Sequence, residues 1–172
     1  FGRTGRAYRF NGTNSDIRVP HQESLNLAGD FTITLWLRQS RARIARLLDK
    51  KTAQEGGGPD HDGWIVDTRN DGVSRGGSRF RLAGGAPLQT VLSDNELPLN
   101  EWHQIVVRLS GQTCDLFLDG EPCGSGHYGR NPTNTLDLYI GRAHSTPLAP
   151  KWWVFEGDLD DVRIHGRALS AK

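Results

Sequence analysis

Apolar residues in this chain recur every second position. Phe31, Ile33, Leu35 and Leu37 share one parity and Thr32, Thr34 and Trp36 the other. That pattern predicts a strand over Phe31 to Arg38, apolar enough on both faces to lie centrally in a sheet that packs on another. Glu101 to Leu109 repeats it, with Trp102, Gln104, Val106 and Arg108 opposing His103, Ile105, Val107 and Leu109. Trp36 and Trp102 sit inside these regular stretches and read as core. Near the end of the chain Val162 and Ile164 alternate with Arg163 and His165, which puts Asp160 on the apolar side. An unpaired carboxylate there costs several kcal/mol, so it needs backbone N–H groups, an arginine or a metal ion.

Shorter stretches with strand character are Arg6 to Asn11, Asp16 to Val19, Arg43 to Asp49, Trp64 to Thr68, Ser78 to Leu82 and Thr90 to Leu92, then Thr113 to Leu118, Glu121 to Cys123, Leu136 to Ile140 and Val154 to His165. Gly, Pro, Asn and Asp separate them. Lys50 to Gly63 and Gly124 to Thr135 read as long polar loops. Roughly a dozen strands without helical periodicity or repeats predict an all-β fold, a two-sheet antiparallel β-sandwich.

Composition narrows the function classes. The 172 residues suit one domain with a sizeable core. The net charge of +1 gives no sign of nucleic-acid or membrane-surface binding. No apolar run approaches the ~20 residues of a membrane span. The arginines between Arg38 and Arg46 fit a blunted, solvated strand edge. The chain opens at Phe1 and contains no Met, as expected of a module from a larger protein. Cys114 and Cys123 flank the Asp119-Gly120 turn. A two-residue loop leaves them diagonal, slightly beyond disulfide reach, and a looser turn brings them together. A bond there would favour a secreted or extracytoplasmic setting.

Six stretches in order carry a resemblance over nearly the whole chain. They are Ala7-Tyr-Arg-Phe-Asn-Gly12, Leu27 to Arg38, Asn100-Glu-Trp-His103, Leu116-Phe-Leu-Asp-Gly-Glu121, Leu138-Tyr-Ile-Gly141 and the closing Gly157-Asp-Leu-Asp-Asp-Val-Arg-Ile164 with Arg167-Ala-Leu-Ser170. The chain resembles laminin-G-like domains of the concanavalin A-like lectin/glucanase superfamily. The resemblance implies a single jelly-roll domain over 1–172 with a curved inner sheet. It leaves the ligand open, because such domains bind glycans, proteins and lipids or only pack against neighbours.

Three chemistries follow as candidates. Asn11 and Asp16, with Asn14, offer hard oxygen donors at the first turn, and Asp160 and Asp161 offer more on the last strand. That mix suits a structural calcium, which the resemblance also implies. The alternative is that these groups only make turns and accept hydrogen bonds. Glu156, Asp158 and Asp160 share one strand face, as in the superfamily's glucanases, and retaining glycosidases need two carboxyls ~5–5.5 Å apart. Gly157 replaces the bulky residue of such strands and the last acid is Asp, which argues against a hydrolase. For sugar binding, Trp64, Asp60 and His61 from one long loop, and Tyr128, Arg130 and Asn131 from the other, would frame a groove if the loops share a rim. Of Trp152 and Trp153 one packs and one is exposed, and Trp152 joins the candidates. Arg79 and Arg81 share a strand face and suit acidic or sulfated sugars, or are merely solvated. The expectation is a non-catalytic carbohydrate-binding module that attaches a larger secreted protein to polysaccharide. The alternative is an adhesion or scaffolding domain that contacts neighbouring protein domains.

Overall fold

The computed structural model describes residues 5–51, 62–70, 77–85, 87–144 and 153–170. Twelve strands form two sheets. In the first sheet β1 (Tyr8–Asn11) and β12 (Glu156–His165) are followed by β3 (Phe31–Gln39), β8 (His103–Ser110), β9 (Thr113–Leu118) and β10 (Glu121–His127). In the second the order is β2 (Ile17–Val19), β11 (Leu138–Ile140), β4 (Ala45–Lys51), β5 (Gly63–Arg69), β6 (Arg79–Gly84) and β7 (Gln89–Leu92). Every pairing is antiparallel. This is the two-sheet antiparallel sandwich that the alternation predicts, in the jelly-roll form that the resemblance implies.

The core lies between the sheets. Phe31, Ile33, Leu35 and Leu37 of β3 meet Ile105, Val107 and Leu109 of β8 and Leu116 of β9, all buried. The second sheet contributes Leu47, Leu48, Trp64, Val66, Phe80 and Leu82. Each such side chain stabilises the fold by about 1.5–3 kcal/mol.

β12 departs from simple alternation. Asp160 pairs with Trp36, but the next pair is Arg163 with Thr34, so Asp161 and Val162 form a bulge, and Asp161 adopts φ 52°. An inserted residue reverses parity. Leu159 before the bulge and Ile164 after it both face the core, while Asp158 and Asp160 face outward. The expected burial of Asp160 beside Ile164 is thereby corrected.

The β9–β10 hairpin turns at Asp119 (φ 52°) and Gly120 (φ 89°) as a two-residue loop. A bulge at Cys123 then shifts the register, so Cys114 pairs with Gly126. The cysteines are both free and buried, and burial pushes the thiol pKa values up to about 12 for Cys114 and about 11 for Cys123. They lend no support to an oxidising compartment.

The stretch after β10 is no open loop. Fully buried Lys50 donates from Nζ to the Leu136 carbonyl (2.6 Å) and to Asn134 Oδ1 (3.0 Å). Asn134 Nδ2 returns hydrogen bonds to the carbonyls of Lys50 and Asp62, each 3.0 Å. These bonds satisfy polar groups that would otherwise be buried unpaired, and they pin the segment to the second sheet.

Candidate functional site

The groove expected between the two long loops does not form from the rings proposed for it. Trp64 is fully buried, and its Nε1 donates to the Leu25 carbonyl (2.8 Å). Tyr128 is also fully buried, and its hydroxyl donates to Asn131 Oδ1 (2.6 Å), with Asn131 itself buried. These rings are core plugs with their polar tips satisfied, as buried Trp and Tyr require. Arg130 is exposed. Asp60, His61 and Trp152 lie outside the described residues.

Arg79 and Arg81 do share the outer face of the second sheet, but in different states. Arg81 is committed to Asp67, with Nε to Oδ1 at 2.7 Å and Nη2 to Oδ2 at 3.0 Å, and Arg46 bonds the same buried carboxylate. Trp153 stacks on Arg46, its ring centroid 4.7 Å from the guanidinium. Arg79 lies opposite Arg69, and its Nε is buried with no hydrogen-bond partner among the described residues. Arg81 is thus held in an ion network with Asp67 and Arg46, and the two arginines do not act as a free pair.

The three calcium ligands do not converge. Asn11 Oδ1 accepts from the backbone N–H groups of Thr13, Asn14 and Ser15 at 2.9–3.2 Å, which makes it the hub of its turn. Asp16 bonds Arg142 (3.2 Å), and Asp160 accepts from the Asp161 N–H (2.8 Å). Asn11 pairs with Glu156, so Asp160 stands four residues further along β12, roughly 13 Å away at strand spacing. These residues do not fit a calcium ion. Among the described residues no group of three or more His, Cys, Asp or Glu converges to hold a metal.

The outer face of the first sheet assembles what those positions do not. His103 pairs with Leu37 on the core side, so Trp102 points outward, and it lies 38% exposed. Arg38 stacks on it, 5.4 Å from the ring centroid. Two residues along the strands Trp36 pairs with Gln104 and with Asp160, and two further on Thr34 pairs with Val106, which pairs with Phe117. Arg108 stacks on Phe117 at 5.4 Å. Beside Arg38 lies a depression of about 430 Å³ lined by Arg9, Asn100, Glu156 and Asp158, and beside Phe117 one of about 260 Å³ lined by Thr34, Gln104 and Val106. Trp36 and Trp102 were both expected in the core because each falls within a regular alternation; both stand on the outer face instead, Trp36 half-buried and Trp102 just ahead of β8. The available signal was Asn100 itself, a residue type that tolerates the positive φ (65°) it adopts in the turn two residues before the tryptophan.

Charges on this face are matched. Asp158 is 5% exposed and accepts from Arg9 Nε (2.9 Å) and Arg38 Nη2 (2.7 Å). Burial alone would raise its pKa, but the hydrogen bonds and charges of the two guanidiniums outweigh that and hold it below the usual carboxylate range. Arg108 pairs with Asp115 and Arg163 with Asp161, each at 2.7 Å. The carboxylate row therefore lacks glycosidase geometry. Its middle member is locked between two arginines, and Glu156 and Asp160 stand roughly 13 Å apart along the strand, beyond the separations that retaining or inverting chemistry uses.

Comparison with known proteins places the fold. No curated protein is detectably similar in sequence. A heptameric SAP-like pentraxin from Limulus polyphemus superposes with a TM-score of 0.68 at 14% identity, over 95% of this chain and 76% of that one. Domain 4 of the extracellular arabinanase AbnA from Geobacillus stearothermophilus, in complex with arabinotriose, gives 0.67 at 18% identity over 99% and 75%. The CBM40 of the Ruminococcus gnavus IT-sialidase, bound to α2,3 sialyllactose, gives 0.64 at 14% over 92% and 93%. At these identities the likeness is one of fold. A laminin G family model, described as concanavalin A-like lectin/glucanases superfamily, matches residues 11–172, and the chain belongs to that family.

Proposed function

We propose that this domain is a non-catalytic carbohydrate-binding module whose glycan lies on the outer face of the first sheet, and that it attaches a larger extracytoplasmic protein to polysaccharide. The observation that carries this reading is Trp102. It is the exposed tryptophan among the described residues, braced by Arg38 beside a polar depression. An aromatic face stacks on sugar C–H groups, while hydroxyls, each both donor and acceptor, need both kinds of partner. Arg9, Arg38 and Asn100 supply donors there, and Glu156 and Asn100 supply acceptors. The oligosaccharide complexes of two fold neighbours support the class of ligand, and the locked Asp158 supports a binding rather than a hydrolytic role.

The test is a glycan array of neutral and acidic polysaccharides with wild type and Trp102→Ala, with circular dichroism as the folding control. Binding that falls at least about tenfold in the variant supports the assignment, since the loss of one stacked ring is worth on the order of 1–2 kcal/mol. Undiminished binding in Trp102→Ala moves the site elsewhere. A blank array with folded protein turns the reading to adhesion between protein domains.

A further inference from the structure

Resting on that reading, we infer that the ligand is an extended, uncharged glycan chain that lies lengthwise along β8, rather than a single terminal sugar. The first observation is the spacing of the rings. Trp102, Trp36 and Phe117 occupy three successive outward levels of the first sheet, on β8 or the strands flanking it. Levels on one face are two residues apart, roughly 7 Å, so the rings span roughly 14 Å along the strand direction. That is a track longer than one sugar ring, with an aromatic ring at each level, Trp102 exposed and Trp36 and Phe117 half-buried.

The second observation is what flanks the rings. Gln104 lies beside Trp36 in register and Thr34 stands across Val106 from Phe117, so neutral donors and acceptors accompany the rings down the face, with the Asp160 carboxylate on the other side of Trp36. A depression of about 260 Å³ runs past Phe117 from Gln104 to Thr32 and Leu169, and a separate one of about 430 Å³ lies beside Arg38 over β1 and β12. A site for one terminal sugar needs a single enclosed pocket with converging groups. Here the groups are distributed.

The third is charge. Five guanidinium groups on or at the margin of the face (Arg9, Arg38, Arg43, Arg108 and Arg163) are matched by five carboxylates, the paired Asp158, Asp115, Asp161 and Glu156 together with Asp160. An acidic chain would meet no net positive field and would have to break existing pairs. A neutral chain leaves them intact. The far end is bounded by the segment after β12, where Thr32 Oγ1 donates to the Arg167 carbonyl, the Leu169 N–H donates back to Thr32 Oγ1, and Arg108 donates to the Leu169 carbonyl. That strap crosses β3 and β8 one level beyond Phe117 and ends the track on that side.

The experiment is calorimetric titration of the intact domain with size ladders from disaccharide to octasaccharide. Arabino-, xylo- and cello-oligosaccharides are the neutral probes, and oligogalacturonides the acidic one. Affinity for at least one neutral ladder is expected to rise at least about tenfold between disaccharide and hexasaccharide and then to level off. Phe117→Ala, and independently Gln104→Ala should the first fail to fold, is expected to weaken hexasaccharide binding about tenfold more than disaccharide binding. Full affinity already at the disaccharide overturns the track and leaves the glycan reading standing. Preference for oligogalacturonides overturns the neutral-chain assignment. No binding of any ladder by folded protein removes the glycan reading itself.

Discussion

Gly157→Ala offers a sharp test of how β12 is held. Gly157 pairs with Phe10 of β1 on one side and Gln39 of β3 on the other. Its φ is +146°, and an added Cβ would fall 2.2 Å from the Arg38 carbonyl oxygen and 3.0 Å from both Gln39 Cα and the Phe155 ring. Two costs follow. Holding an L-residue in that backbone region costs about 1–3 kcal/mol. Forcing apart strands whose nearest atoms are backbone costs a further ~1–3 kcal/mol. The smaller unfolded-state gain of a Gly→Ala change offsets at most about 1 kcal/mol. The expected net loss is near 3 kcal/mol, or a fall in Tm of roughly 6–12 °C for a domain of this size. Urea unfolding followed by tryptophan fluorescence reads it as a lower midpoint at unchanged slope. Gly166→Ala is the control, because an added Cβ there meets nothing within 4 Å, and it should stay within about 0.5 kcal/mol. A Gly157→Ala loss below about 1 kcal/mol would refute the close approach of β12 to β3. The glycine also explains why a bulky residue cannot stand between the two carboxylates of this strand.

Two further outcomes follow from the charge networks. Asp67→Ala strips the shared acceptor from Arg81 and Arg46 at a fully buried position, and should cost about 3–5 kcal/mol in the same urea assay; a loss below about 1 kcal/mol would mean that solvent reaches those guanidiniums. Asp158, with its folded pKa held below the unfolded value of about 3.9, contributes stability that is present above that value and lost as pH falls through the folded one. Urea midpoints taken from pH ~5 down to ~2 should therefore fall less steeply for Asp158→Asn than for wild type, and parallel curves would show that the pair adds nothing.

The sandwich was legible because period-two alternation is a local property of each strand, and β3 and β8 follow it closely. The bulges were not. Asp161 and Cys123 each insert one residue, and nothing in the side chains alone marks the change of parity, so Asp160 was expected on the wrong face and the register of Cys114 against β10 was not anticipated. The site failed for a different reason. Composition identifies Trp and Tyr as suitable for stacking, but burial decides whether they are available. Trp64 and Tyr128 border polar stretches in the sequence yet fold inward, with their polar tips satisfied by the Leu25 carbonyl and by Asn131. Arg79 and Arg81 were placed correctly on one face. What the sequence did not reveal was Asp67, directly opposite Arg81 in the neighbouring strand.

The order of the strands bears on how the domain behaves when crowded on a surface. The sheets end in β1, β10, β2 and β7. Three of these margins are only three or four residues long, and β1 and β2 carry Arg9 and Arg18. The longer β10 is interrupted by its bulge, its Cys123 carbonyl already accepts from the Asp94 N–H, and Gly124 and Gly126 lie against Leu92 and Val91. Among the described residues little continuous, unpaired backbone remains for a second copy to extend. Many copies can thus be concentrated on one polymer, or repeated in tandem along one chain, without joining edge to edge into fibres.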